Sequence, residues 1–237
     1  MFSFKRFSIL MLTAFIAVSV FAQSQNNEMS IEASYLQQTL ENMIIRELSR
    51  TDSRASKLMA LENIDSAIDN GNTSADVRQA LEYLSMEGTK SVARENGRVV
   101  NNFPDVRRQA AKYLGKFGGE EGKNALLQIC QSENEPMVLQ EAIKSLGDIG
   151  INNNNETILN IVQIVRRFDN LNPDNLMAIA TIDAFEKIAK KNNGLNYPEA
   201  IQLLIRISEG HYVTPVRERA RQLLADLRSY SNSGKNN

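Results

Sequence analysis

A phrase in this chain recurs at a fixed spacing of 32 residues. Asn102, Pro104, Val106, Ala110, Lys112, Leu114, Gly115 and Gly118 return as Asn134, Pro136, Val138, Ala142, Lys144, Leu146, Gly147 and Gly150, eight identities inside a 17-residue window. Self-similarity at such a period marks an array of supersecondary units, each burying its apolar face against the next. Arrays of this kind present extended surfaces and serve more often to hold a partner than to enclose a reactive pocket.

Around the phrase the chain reads as helix after helix, punctuated by Gly, Pro and Asn. Leu36, Leu40, Ile44 and Leu48 form an i, i+4 stripe behind Ser30, a suitable N-cap. Leu58, Leu61, Ile64 and Ile68 predict a second helix from about Ser53, and Val77, Leu81 and Leu84 a third from about Ser74. Pro104 fits the first turn of a helix, where its missing N–H costs nothing. Val106, Ala110, Leu114 and Phe117 then face one side until Gly118-Gly119 ends it. Later helices are expected near 120–130, 136–149, 154–168, 173–191, 197–209 and 214–229. The run Ile158 to Val165 is apolar almost all round, and its length predicts a buried helix rather than a strand. This gives about five helical hairpins, near 30–69, 74–117, 120–150, 154–192 and 197–229.

The phrase Pro-Asp-Val-Arg-x-x-Ala-x-x-x-Leu-Gly at 104–115, echoed at 136–147, resembles the second helix of a HEAT repeat or of the phycobilisome-lyase-type HEAT-like repeat. It returns more loosely at Pro215-Val216-Arg217 with Ala220 and Leu223, and faintly at Ala184-Phe185 with Ile188. The resemblance implies an all-α fold, a right-handed α-solenoid of about five antiparallel helix pairs over residues 30–229. It implies a protein-interaction role more than any one activity, because the fold carries scaffolds, transport factors and a few enzymes. An Arg after the Val ties neighbouring repeats together in the family. Arg107 and Arg217 match it, whereas Leu139 and Leu176 do not.

Residues 1–22 read as a cleaved signal peptide of an exported bacterial protein. Lys5 and Arg6 precede an apolar run from Phe7 to Phe21, and Val20 and Ala22 are small enough for a cleavage site. The run is short for a membrane span, although a retained anchor or an ordinary buried helix are the alternatives. Residues 23–29 form a polar leader, and 230–237 a polar tail expected to be disordered. Cleavage removes two cations and moves the formal charge from −1 to −3. That balance argues against a nucleic-acid partner. No later run is long enough to span a membrane. A single cysteine, Cys130, excludes an internal disulfide and favours the periplasm of a diderm bacterium.

Groups for chemistry are scarce. His211 is the only histidine and has no Gly-x-Ser-x-Gly elbow with it. One His and one Cys give no metal-ligand spacing. Cys130 beside Ile129 reads as a small buried hydrophobe. No catalytic residue, metal or cofactor is expected.

One stretch breaks the helical rhythm. Residues 89–103 hold Asn96-Gly97, the dipeptide of a tight hairpin turn, between Val92 and Val99-Val100. A β-hairpin insertion is expected there, with Glu95 opposite Arg98. An insertion of this length is either a binding element or a decoration over the edge of one repeat. The reading adopted is a periplasmic scaffold or adaptor that binds a protein partner through its concave face and the insertion. Arg94, Asn96, Gly97, Arg98, Arg107 and Arg108 are its candidate contact residues. The second helices also carry Lys112, Lys116, Lys187, Lys190, Arg217 and Arg219, which would form a basic stripe on that face. An enzyme-like envelope factor using His211, or a structural envelope element, are the alternatives.

Overall fold

The computed structural model describes residues 30–169, 173–195 and 197–233, and Pro, Gly and Asn divide these described residues into ten α-helices. These are α1 (Ile31–Arg50), α2 (Arg54–Asp69), α3 (Ala75–Ser85), α4 (Pro104–Phe117) and α5 (Gly119–Ser132), then α6 (Pro136–Ile149), α7 (Glu156–Asp169), α8 (Asn175–Lys191), α9 (Pro198–Glu209) and α10 (Thr214–Ser233). The signal and leader readings, and the tail at 234–237, lie outside the described residues. α10 runs to Ser233, past the expected end at 229.

The start signals act where the sequence places them. Ser30 accepts from the Ala33 amide, Ser53 from the Ser56 amide, and Asp174 from those of Leu176 and Met177. Pro104, Pro136 and Pro198 each sit in the first helical turn. Gly118 and Gly150 take φ values of 74° and 68° at the ends of α4 and α6, which a Cβ would oppose.

Residues Met1–Leu40 and Glu41–Asn237 form separate compact units. In the first, the described part is the N-terminal half of α1, exposed on every side. In the second, the helices form two layers. The even-numbered helices lie side by side in the order α2, α4, α6, α8, α10, and α3, α5, α7 and α9 form the other layer. Each even helix also packs on its odd neighbour, as α4 does on α3 and α10 on α9. This is an all-α solenoid with one small two-stranded hairpin among the described residues. Its core is one continuous cluster from Ile45 to Leu227. The apolar run in α7 is helical as expected, but it buries one face, with Leu159 left exposed.

The repeated Leu-Gly of the phrase has a packing cause. An added Cβ on Gly115 would lie 2.6 Å from Ser145 Cβ, and one on Gly147 would lie 2.6 Å from Ala184 Cα. Glycine therefore lets α4 approach α6, and α6 approach α8, closer than any side chain permits. Alanine is the better helix former by about 1 kcal/mol, whereas overpacking a close contact costs about 1–3 kcal/mol. Gly147→Ala is expected to lower the unfolding free energy by roughly 1–2 kcal/mol in urea titrations. An increase would mean that the close approach is not needed.

Candidate partner-binding surface

The insertion is a short antiparallel hairpin, β1 (Arg94–Glu95) and β2 (Arg98–Val99), with Arg94 paired to Val99 and Glu95 to Arg98. Asn96 and Gly97 take φ values of 48° and 80°, as an Asn-Gly turn requires. Every residue from Val92 to Val100 is exposed.

Its base is the opposite. Glu87 is buried just past α3, where its carboxylate accepts from Lys57 Nζ at 2.9 Å and Asn101 Nδ2 at 2.7 Å. Asn101 Nδ2 also donates to the Ser91 carbonyl at 2.7 Å, and its Oδ1 accepts the Ala93 amide at 2.8 Å. Lys57 completes its shell on the Ser49 carbonyl at 3.1 Å. One buried amide thus closes the hairpin onto an ion pair in the solenoid core.

Arg107 joins the same network. It is 1% exposed, its Nε and Nη2 donate to the two carboxylate oxygens of Glu133 at 2.6 and 3.3 Å, and its Nη1 donates to the Glu87 carbonyl and Asn102 Oδ1. Glu133 in turn accepts the amides of Asn134 and Glu135, which open the loop into α6. A bidentate pair of this kind is directional. Losing one partner of such a buried pair costs about 3–5 kcal/mol, because the other charge is stranded. Arg107 therefore ties one repeat to the next and offers no guanidinium to a partner, which removes it from the candidate contact set.

Arg108, one residue on, lies on the outward face of α4 and is half exposed, with Nε 3.5 Å from Glu141 of α6. Together with Asp105, Gln109, Lys112 and Met137 these two residues line a groove of about 270 Å³ between α4 and α6. Lys112 has no carboxylate partner among the described residues, and its ammonium lies 5.6 Å from the centre of the Tyr113 ring. No hydrogen bond or ion pair among the described residues links the hairpin tip to Arg108.

Most of the other cations of the anticipated basic stripe are already paired. Lys116 bonds Asp65 and Asp69, Lys187 bonds Asp148, and Arg219 bonds Asp183 and Glu186, while Arg54, not one of those expected cations, bonds Asp105. Each bridge joins neighbouring even helices, so the face is an alternating ladder rather than a basic strip. Burial pushes the Asp105 carboxyl up, but the Arg54 guanidinium holds it below the ordinary carboxylate range. Lys190 and then Arg219 hold Glu186 down likewise, against its burial. Their contribution to stability is present above the unfolded carboxylate pKa and is lost as pH falls through the lower folded values.

His211 is exposed and hydrogen-bonds no carboxylate or hydroxyl of the described residues. Its neighbour Tyr212 does the structural work of that loop, buried with its hydroxyl on Asp169, which also holds Arg206 at 3.0 Å. Burial pushes the Cys130 thiol up to about 12, so it is not a nucleophile near neutral pH. Among the described residues no cluster of three or more His, Cys, Asp or Glu could hold a metal, and no helix is long and apolar enough to cross a membrane.

Sequence reasoning located the hairpin and missed its anchor. Lys57, Glu87, Asn101 and Glu133 carry no motif, and their separations along the chain follow only from the stacking of helices. Asn101→Ala is expected to leave the helical circular dichroism unchanged while limited proteolysis cuts within 89–103 at least about tenfold faster, as a buried amide worth roughly 1–3 kcal/mol is removed. Unaltered cleavage would show that Asn101 does not hold the insertion.

Comparison with known proteins agrees with this architecture. Residues 98–170, under a third of the chain, match the family of HEAT repeats, and the stretch includes both clear copies of the phrase. No curated protein matches. A de novo designed 16-helix transmembrane nanopore aligns at 12% identity over 85% of this chain and 64% of that one, with a TM-score of 0.26. The chain thus spans less than two thirds of that structure, and a likeness this low carries no argument about fold or function. Over residues 98–170 the chain is similar to HEAT repeats.

Proposed function

We propose that the protein is an exported scaffold or adaptor of the bacterial periplasm, binding a protein partner through the even-helix face and the tip of the hairpin. The observation that carries this reading is the contrast within the insertion. Its base is fixed by buried ion pairs while Arg94, Asn96, Gly97 and Arg98 stand fully outside. A decoration has no need of so stiff a root, whereas presentation of a binding tip does, because a preordered element loses less entropy on binding.

The groove between α4 and α6 holds the Lys112 ammonium, which has no carboxylate partner among the described residues, together with the exposed thioether of Met137 and with Arg108, which is paired with Glu141. That chemistry suits a partner segment carrying a carboxylate next to an apolar side chain. HEAT repeats generally serve protein interaction, which supports the same reading. The periplasmic address rests on the first 22 residues and the single cysteine.

The test is in-cell photocrosslinking from position 95 at the tip, with position 160 on α7 as the control. A discrete adduct from 95, absent from 160 and lost in a folded Arg108→Glu/Lys112→Glu variant, is expected. Equal capture from position 137 in the groove by the intact protein and by a folded variant lacking residues 92–100 would overturn the insertion as the binding element.

A further inference from the structure

Two buried ion pairs underlie the hairpin, and they are not chemically alike. Each joins a base of an even helix to an acid just past the odd helix that follows, Lys57 to Glu87 after α3 and Arg107 to Glu133 after α5. Arginine suits this structural role, because its guanidinium holds a carboxylate bidentately and keeps its protons. Lysine brings something arginine does not, an amine that becomes a nucleophile once it gives up a proton.

What distinguishes the Lys57 pair is its third member. Lys57, Glu87 and Asn101 are 1%, 2% and 7% exposed. The Glu87 carboxylate takes Lys57 Nζ on Oε2 at 2.9 Å and Asn101 Nδ2 on Oε1 at 2.7 Å. An amine and a carboxamide are thus held on the two oxygens of one buried carboxylate. The carboxamide oxygen, Asn101 Oδ1, accepts the Ala93 amide at 2.8 Å. Glu133, by contrast, receives a guanidinium and two backbone amides, and no carboxamide.

We propose that Lys57 and Asn101 join in a spontaneous isopeptide crosslink, with Glu87 as the proton carrier. Each requirement of that reaction has a group in place. Proton transfer along the Nζ–H···Oε2 bond converts the ion pair into an amine and a carboxylic acid, and exclusion of water favours these uncharged forms. Nζ then attacks Asn101 Cγ, and negative charge develops on Oδ1, where the Ala93 N–H already donates. The Nζ–Cγ bond forms, the Cγ–Nδ2 bond breaks, and Nδ2 takes a proton from Glu87 to leave as ammonia. The second proton shed by Nζ departs with it as ammonium, which restores the Glu87 carboxylate. No oxidant or water is consumed. Holding both reactants on one carboxylate replaces a chance encounter by a small side-chain movement. The product ties α2 covalently to the segment between β2 and α4, and so fixes the root of the hairpin whatever its tip binds.

Mass spectrometry of the purified full chain tests this. Under denaturing conditions the wild-type chain is expected to be lighter than its unmodified form by one ammonia. Trypsin should release a branched peptide joining residues 55–78 to 99–107. Lys57→Arg keeps the positive charge for Glu87 but has no nucleophilic amine, and should give neither signal. Glu87→Gln, checked for unchanged helicity, should form the crosslink at least about tenfold more slowly. Cleavage after Lys57 and an unmodified 99–107 peptide, both in full yield after prolonged incubation of the folded wild-type protein, would overturn the proposal. An ammonia loss that maps to Asn96-Gly97 as a cyclic imide, with no branched peptide, would overturn it too. A branched peptide formed at the wild-type rate in folded Glu87→Gln would remove Glu87 as the proton carrier.

Discussion

Everything in this molecule depends on how closely the even-numbered helices approach one another. Gly115 against Ser145 and Gly147 against Ala184 set that distance across α4, α6 and α8. Once the backbones are that close, Val106, Ala110 and Leu114, with their copies Val138, Ala142 and Leu146, are fully buried between the two layers. The same spacing brings acids on one helix within reach of bases on the next, which produces the bridges from Arg54–Asp105 to Arg219–Glu186. Exposed bridges of this kind are each worth little. Their effect is on the character of the surface, where most of the positive charge is matched by a neighbouring acid.

The insertion is built on this frame. Helix stacking brings Lys57 of α2, Glu87 after α3 and Arg107 of α4 into one buried network, which Asn101 closes from the hairpin side. Buried charge is a weak source of net stability, but an incomplete network of this kind is costly. The network therefore specifies one position for the root of the hairpin. That is the physical basis for reading a rigid base and a presented tip, and for assigning Arg107 to the frame rather than to the partner.

Much of the fold was legible in the sequence for simple reasons. The 32-residue repeat, the prolines in first turns and the glycines at helix ends act locally, and the helices begin and end within a few residues of expectation. Asn96-Gly97 likewise encodes its turn on its own. The charged residues were not legible in this way. Whether Arg107 faces a partner or Glu133 depends on where a residue 26 positions away comes to lie. The anticipated basic stripe failed for the same reason, since Asp65, Asp148 and Asp183 reach their lysine and arginine partners only across the stack. Exposure of Leu36, Leu40 and Ile44 was equally invisible, because an i, i+4 apolar stripe predicts a buried face and does not say what buries it.

Hydrogen–deuterium exchange of the insertion, resolved by amide, tests the central claim most directly. The Ala93 amide, held by Asn101, and the Val100 amide, held by the Ala93 carbonyl, are predicted to be protected like those of α4, while Asn96 and Gly97 exchange freely. Uniformly fast exchange across 89–103 would contradict a fixed base beneath a presented tip.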